Sequence, residues 1–525
     1  MEQVRRLASS WQRVAIAAAL FAFVLIAGWR LSAPGLYYDE MLFVDAALGS
    51  PNGIFLSLKF GEVPIMLMSY IGALKAWLYY PIFKLLGVSA FTVRAPVVAL
   101  GALTLWLHYQ LALKAFSRPV ALTFIAMAAV EPSTLFHTRI DWGPTTLMML
   151  FRTLLLLSMV LWIKTREPRY LAAALAAMAV GLFDKLNFLW FAPALAAAVL
   201  VVYPRHLLEL FQRHARFSIG LAIAAAGVAG VLWYYINHYV PLEEEIGNID
   251  WSQRIDSVTQ LLLMTIAGTG VYGVVTNGDM AALGTPHLYV LAGVGMLAAV
   301  MAAIHRRHID WRMVAFLLVF HLVTLAELFV TRQATGPHHL ATLAPFWLLL
   351  IAIPLGQCFA PTNFRKPWAA MAGVAVALVS LSSLRVDAGN LQGFAHLAKP
   401  LWDPATYALA DEIAKHPGHP VIVLDWGSGS IINGLLNGKV QVLDIWPQFA
   451  ANPSQAEIEW YEQMIRDSAP LFVVPAPGTA MFPAARANAM AIVNARHWDA
   501  QKLATFNSRS DSPLYELYTV SLPSP

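Results

Sequence analysis

The stretch VPIMLMSYIGALKAWLYYPIFKLLG, Val63 to Gly87, decides how this chain folds. It is long and apolar enough to cross a bilayer, yet Pro64, Lys75, Pro81 and Lys84 interrupt it. About eleven other apolar runs accompany it, near 14–32, 92–113, 119–136, 144–163, 169–183, 187–204, 217–236, 287–304, 313–330, 339–357 and 368–385. The basic residues between these runs arbitrate. With Arg5, Arg6 and Arg13 on the cytoplasmic side and 63–87 not crossing, five basic loops also fall there. They are Lys114/Arg118, Lys164/Arg166/Arg169, Arg205/Arg213/Arg216, Arg306/Arg307/Arg312 and Arg365/Lys366. A crossing at 63–87 would turn all of them outward. We therefore read 63–87 as an amphipathic or re-entrant segment on the outer face.

Composition agrees with a polytopic membrane protein. Of 525 residues, 58% are hydrophobic and 13% charged, against about a quarter charged in soluble domains. A net charge of +4 gives no reason to expect nucleic acid, and one cysteine, Cys358, excludes a disulfide framework. The first run is too long for a cleaved signal and lacks a small-residue cleavage site, so it reads as a retained anchor.

This topology places 33–91, 131–143, Phe183–Asn187, 237–286 and 331–338 outside, with everything after about Arg385. Residues 1–385 form the membrane domain. In 386–525, helical stretches (Pro404–Lys415, Gln455–Asp467, Pro483–Ala495) alternate with β-like runs (Val421–Leu424, Val440–Leu443, Leu471–Val474). That alternation predicts a C-terminal α/β domain with a mostly parallel sheet.

The polar residues near the membrane gather on the outer side, where burial without a role or partner is costly. They are Asp39-Glu40, Glu62, His137, Arg139, Asp141, Asp184-Lys185, Arg332 and His338-His339. Together they predict one outward-facing cavity built from several loops. Each also has a plainer reading. Asp39-Glu40 suits a helix first turn after Ala33-Pro34-Gly35, and Asp141 suits a partner for Arg139 or a cap on the helix at Pro144. Lys185 suits a partner for Asp184. Adjacent histidines make a poor zinc pair on one helix face. Glu243-Glu244-Glu245 reads as a solvated run. Asp425-Trp426-Gly427-Ser428-Gly429 lacks dinucleotide spacing and reads as a strand-to-helix turn.

The order Asp39-Glu40 after the first span, Glu62-Val63-Pro64, then Arg139-Ile140-Asp141 before a span resembles the GT-C glycosyltransferases. The likeness is nearest to the branch holding protein O-mannosyltransferases and bacterial lipid A aminoarabinose transferases. It covers roughly 1–385 and is strongest in the first 190 residues. It implies a multi-span enzyme that takes a sugar from a polyprenyl-phosphate carrier on the non-cytoplasmic face, here the outer face of a bacterial inner membrane. It implies Asp39 as catalytic base, Glu40 as its acceptor-positioning neighbour and Asp141 as the second-loop acid. Lys185 would hold the carrier phosphate, while His338, His339 and Arg332 line the donor side. Glu62, His137 and Arg139 complete the implied substrate set. The tail corresponds to outer domains that usually carry no catalytic residues. Two departures stand out: Val63 replaces a lysine that follows the glutamate in the aminoarabinose transferases, and Met41-Leu42-Phe43 lacks their arginine.

Breaking a glycosyl–phosphate bond needs a base for the acceptor hydroxyl and cations for the departing phosphate. The expected reaction is inverting transfer to a lipid, glycan or protein hydroxyl. A divalent cation bound by Asp39, Glu40 and Asp141 is an option the chemistry does not require. The alternatives are a secondary transporter, which predicts paired halves and midplane acids, and a silent scaffold.

Overall fold

The computed structural model describes residues 2–49, 58–240, 249–332, 334–361 and 363–522; the acidic run Glu243–Glu245 lies outside them. The chain opens with α1 (Glu2–Ala27) and a short α2 (Tyr38–Leu48). The contested stretch does not form one helix. It forms strands β1 (Leu58–Phe60), β2 (Val63–Met68) and β3 (Ile71–Gly72), an antiparallel set, then α3 (Leu74–Leu86). At 1.5 Å per residue, α3 extends about 20 Å, short of a bilayer core.

The bundle follows: α4 (Ala90–Ala115), α5 (Arg118–Ala128), α6 (Pro132–Arg139), α7 (Thr145–Thr165), α8 (Pro168–Asp184), α9 (Phe191–Val202), α10 (Pro204–Arg213) and α11 (Ala215–Tyr239). After it come α12 (Trp251–Ile266), α13 (Gly270–Val275), α14 (Met280–Ile304) and α15 (Trp311–Val330). Then come a single turn α16 (Pro337–Leu340), α17 (Phe346–Gln357) and the long α18 (Lys366–His396). Among the described residues, seven helices are long and apolar enough to span a membrane, or nine if two bent pairs each count as one. One bent pair is α5 with α6, which turn 59° against each other. Trp11–Ala27 is a shorter apolar helix, and α8 has 17 residues.

The two ends of the bundle differ. At one, Lys164 pairs with Asp310 at 2.9 Å, Arg166 lies 3.8 Å from Glu209, and Arg312 donates to the Val202 carbonyl. Three of the five basic loops thus meet. Helix α7 runs from that end to Asp141 and the other polar loops, about 30 Å away.

Helix α18 continues past the expected boundary at 385 to His396. Two of the polar residues that break its apolar pattern reach backbone carbonyls of neighbouring segments: Arg385 donates to the Ala282 and Leu283 carbonyls, and Asn390 to that of Gly268, while the Asp387 carboxylate is buried without a hydrogen bond. The tail contains α19 (Ala405–Ile413), β4 (Val421–Val423), α20 (Ser428–Leu435), β5 (Val442–Asp444), α21 (Trp446–Phe449), α22 (Gln455–Ser468), β6 (Leu471–Pro475), α23 (Pro483–Ala495), β7 (Asp499–Asn507) and β8 (Pro513–Ser521). Its sheet has the order β5-β4-β6-β8-β7, with β4, β5 and β6 parallel and β8 and β7 antiparallel. The Asp425–Gly429 stretch is the strand-to-helix turn, with Gly427 at φ 86° as the cap of α20.

Candidate active site

Two devices bring the first loop onto the bundle. Arg94 of α4 is buried and grips Glu40 through both carboxylate oxygens, at 2.8 and 2.7 Å. Its terminal nitrogens also donate to the carbonyls of Leu31, Pro34 and Gly35 at 2.6 to 2.9 Å. Arg139 does the same from α6, donating to the carbonyls of Ala27, Trp29, Arg30 and Ala33 at 2.5 to 2.9 Å. The turn after α1 is thus held by guanidinium groups from two helices.

A third device builds the far wall. Leu186 N–H donates to the Tyr70 carbonyl, and Ile71 bridges Lys185. This close approach requires Gly72, where a Cβ would fall 2.0 Å from the Phe183 carbonyl oxygen. Lys75 at the start of α3 reaches Asp141 at 2.8 Å and donates to the Gly143 carbonyl at 3.0 Å. The other Asp141 oxygen accepts from Thr146 N–H and so begins α7.

Among the described residues, Asp39 and Lys185 keep their charged groups uncommitted to any hydrogen bond or ion pair. Asp39 is half-buried and Lys185 buried. Burial pushes the Asp39 carboxyl up, Lys185 pulls it back, Glu40 raises it and Lys75 lowers it, leaving it at about 6. Burial lowers the Lys185 ammonium against the opposing pull of Asp141, Asp39 and Asp184, to about 8. Asp184 is fully buried with neither carboxylate oxygen hydrogen-bonded.

An aromatic wall surrounds this pair. The Tyr37 ring stacks on Trp402 at 3.9 Å and meets Trp142 edge-on, and Trp426 of the tail lies 4.6 Å from Tyr38. His338 is 5.6 Å from Trp142 and 4.0 Å from His339, which sits 5.7 Å from Trp190. His137 Nδ1 donates to the Ser133 carbonyl, while its Nε2 is buried and unpartnered. A groove of about 460 Å³ opens between α8 and α11, lined by apolar side chains including Phe183, Leu186 (the residue after Lys185), Val228 and Val231.

Several expectations need correction. Glu40 does not stand free beside an acceptor, because Arg94 occupies both its oxygens. Arg139 offers no free fork to a substrate, since four carbonyls take its terminal nitrogens. Asp141 pairs with Lys75, not with Arg139, and no Asp184–Lys185 ion pair forms among the described residues. Glu62 is exposed on the β1–β2 turn beside a separate groove with Trp77 and Tyr80, and Arg332 is exposed. As for a divalent ion, no three His, Cys, Asp or Glu side chains converge as a ligand set among the described residues. Glu40 and Asp141 are already paired, so the residues do not fit one. Lys75 and Arg94 went unassigned in the sequence; a lysine inside an apolar run was the available signal.

Residues 72–234 match the family model described as dolichyl-phosphate-mannose-protein mannosyltransferase. No curated protein sequence matches the chain. Among solved structures, ArnT from Cupriavidus metallidurans bound to undecaprenyl phosphate superposes with a TM-score of 0.64 at 12% identity, covering 98% of this chain and 100% of that one. The arabinofuranosyltransferase AftD from Mycobacteria gives 0.52 at 17% identity, covering 98% of this chain and 40% of that one. The Archaeoglobus fulgidus oligosaccharyltransferase gives 0.51 at 11% identity, covering 89% and 69%. The resemblance read from the first two outer loops holds at the level of fold: this chain is an integral membrane protein that shares the fold of ArnT over 98% of its length.

Proposed function

We propose that the chain is a membrane glycosyltransferase that moves a sugar from a polyprenyl-phosphate donor to a hydroxyl of a lipid, glycan or protein, on the non-cytoplasmic face of a bacterial inner membrane. The observation that carries this reading is the uncommitted pair Asp39 and Lys185, the first next in sequence to the aromatic Tyr37-Tyr38 and the second to Leu186, which lines the apolar groove. Such a groove suits an isoprenoid chain, and a buried ammonium next in sequence to one of its wall residues suits the phosphate at that chain's head. ArnT was solved with undecaprenyl phosphate, which supports a donor of this kind.

In the proposed step, the acceptor oxygen bonds to the anomeric carbon as Asp39 takes its proton. The bond from that carbon to the phosphate oxygen breaks, and the polyprenyl phosphate leaves with the electron pair opposite Lys185. A single displacement inverts the anomeric centre. Glu40, Arg94 and Arg139 hold the loop that carries Asp39, while Asp141 and Lys75 fix the opposite wall. His137, His338 and His339 sit toward the donor. A transporter is less well supported, because the solved structures with this fold are those of transferases.

Mass spectrometry of polyprenyl-phosphate lipids tests this in cells carrying the unaltered protein, a deletion, or Asp39→Asn. One sugar-loaded carrier should accumulate in both defective strains. Unchanged carrier pools would sink the reading.

A further inference from the structure

Arg152 lies two turns into α7, inside the bundle, with 2% exposure. Its Nη2 donates to the Ala344 carbonyl at 2.8 Å and to His108 Nε2 at 3.1 Å. The Nε and Nη1 donors have no partner, nor has His108 Nδ1. A guanidinium only donates, so His108 Nε2, which the Thr153 hydroxyl also meets at 3.0 Å, accepts and the neutral ring carries its proton on Nδ1. The open positions are therefore all donors. Among the described residues no carboxylate stands near Arg152 to balance its charge. Such a charge inside a membrane domain requires compensation.

A cavity of about 20 Å³ adjoins these groups, lined by Arg152, His108, His321, Phe124, Pro345 and Phe346. It has room for one particle of water or chloride size. His321 gives its Nδ1 proton to the Leu317 carbonyl, and protonation at Nε2 would add a further donor. A water would bring two more donors to a wall already rich in them and would leave the charge unbalanced.

We propose that this cavity binds a single monatomic anion, chloride under ordinary conditions, held by the Arg152 guanidinium and the His108 Nδ1 hydrogen. The anion joins α4, α7 and the break before α17. It therefore stabilises the membrane domain and takes no part in the transfer step.

The test is thermal melting of the purified full-length protein in chloride, bromide or gluconate at constant ionic strength. Chloride and bromide should raise the midpoint by a few degrees along a saturating curve. Gluconate, too large for the cavity, should not. Arg152→Met should abolish the difference. Equal melting in all three salts would mean that the cavity holds ordered water only and would overturn the proposal. So would an anion response that survives Arg152→Met, since it would arise elsewhere. If that variant does not fold, anomalous scattering from bromide-soaked crystals of the unaltered protein decides. A peak beside Arg152 supports the site, and none at saturating bromide overturns it.

Discussion

Adjacent residues in one short helix have opposite fates here. Glu40 is locked by Arg94, while Asp39, its neighbour, keeps both oxygens open. Replacing Asp39 by Asn should therefore reduce transfer by about 10²- to 10⁴-fold, the usual range for a general base, at unchanged expression. Near-normal transfer would reassign the base. Glu40→Gln should act differently, leaving the Arg94 charge buried and unpaired at a cost of about 3–5 kcal/mol in stability. Thermal melting in detergent separates the cases, because Asp39→Asn should scarcely lower the midpoint. The pH profile follows from the two open groups. Asp39 must lose its proton to act as base, so kcat/KM should rise through about pH 6. Lys185 must keep its proton to face phosphate, so the rate should fall through about pH 8. A rate that keeps rising above pH 8 would remove Lys185 from the phosphate role.

At the scale of elements, the short hairpin and α3 place Lys185. The hairpin touches the corner after α8 at Gly72, and Lys75 ties α3 to the start of α7. Gly72→Val would drive a side chain into the Phe183 carbonyl and lift the hairpin off that corner. A shift of about 1 Å in a reacting group costs on the order of 10²-fold in rate. The expected result is a loss of that size in single-turnover transfer, with melting little changed because the hairpin lies beside the main apolar core. A collapse of the whole fold would show that the hairpin supports the bundle as well.

Across the whole molecule, the tail docks onto the helix that carries Asp39. Asn433 of α20 donates to Asp45 at 2.7 Å, Gly434 makes room for Met41, and Asn437 accepts from Val88 N–H. The Asp45 carboxyl is pushed by burial to about 7, against hydrogen bonds from Asn433 and Ser430, and Asp444 is raised to about 7 by burial and by Asp425. Both folded-state values lie above the unfolded value of about 3.9. Stability that is full below the unfolded value is therefore lost as pH rises through about 7. The docked tail should become more open to proteolysis or hydrogen exchange above pH 7 than below it, and Asp444→Asn should flatten that slope. Identical protection on both sides of pH 7 would contradict this.

Hydropathy and charge, read locally, determined the helical membrane architecture, the absence of one spanning helix over 63–87, and the alternating tail with its strands β4, β5 and β6. These features depend on apolar length, on basic loops and on short-range periodicity. The β7–β8 hairpin escaped because β7 is largely exposed and both strands are mixed in polarity. Tertiary structure alone decided which charges are free. Asp39 and Glu40 look equivalent in sequence, and so do Arg139 and Lys185 as cations near an outer loop. The partners that separate them come from far along the chain: Arg94 for Glu40, Lys75 for Asp141, and the carbonyls after α1 for Arg139. A charge's availability depends on what lies within about 3 Å of it, and only folding brings those atoms together.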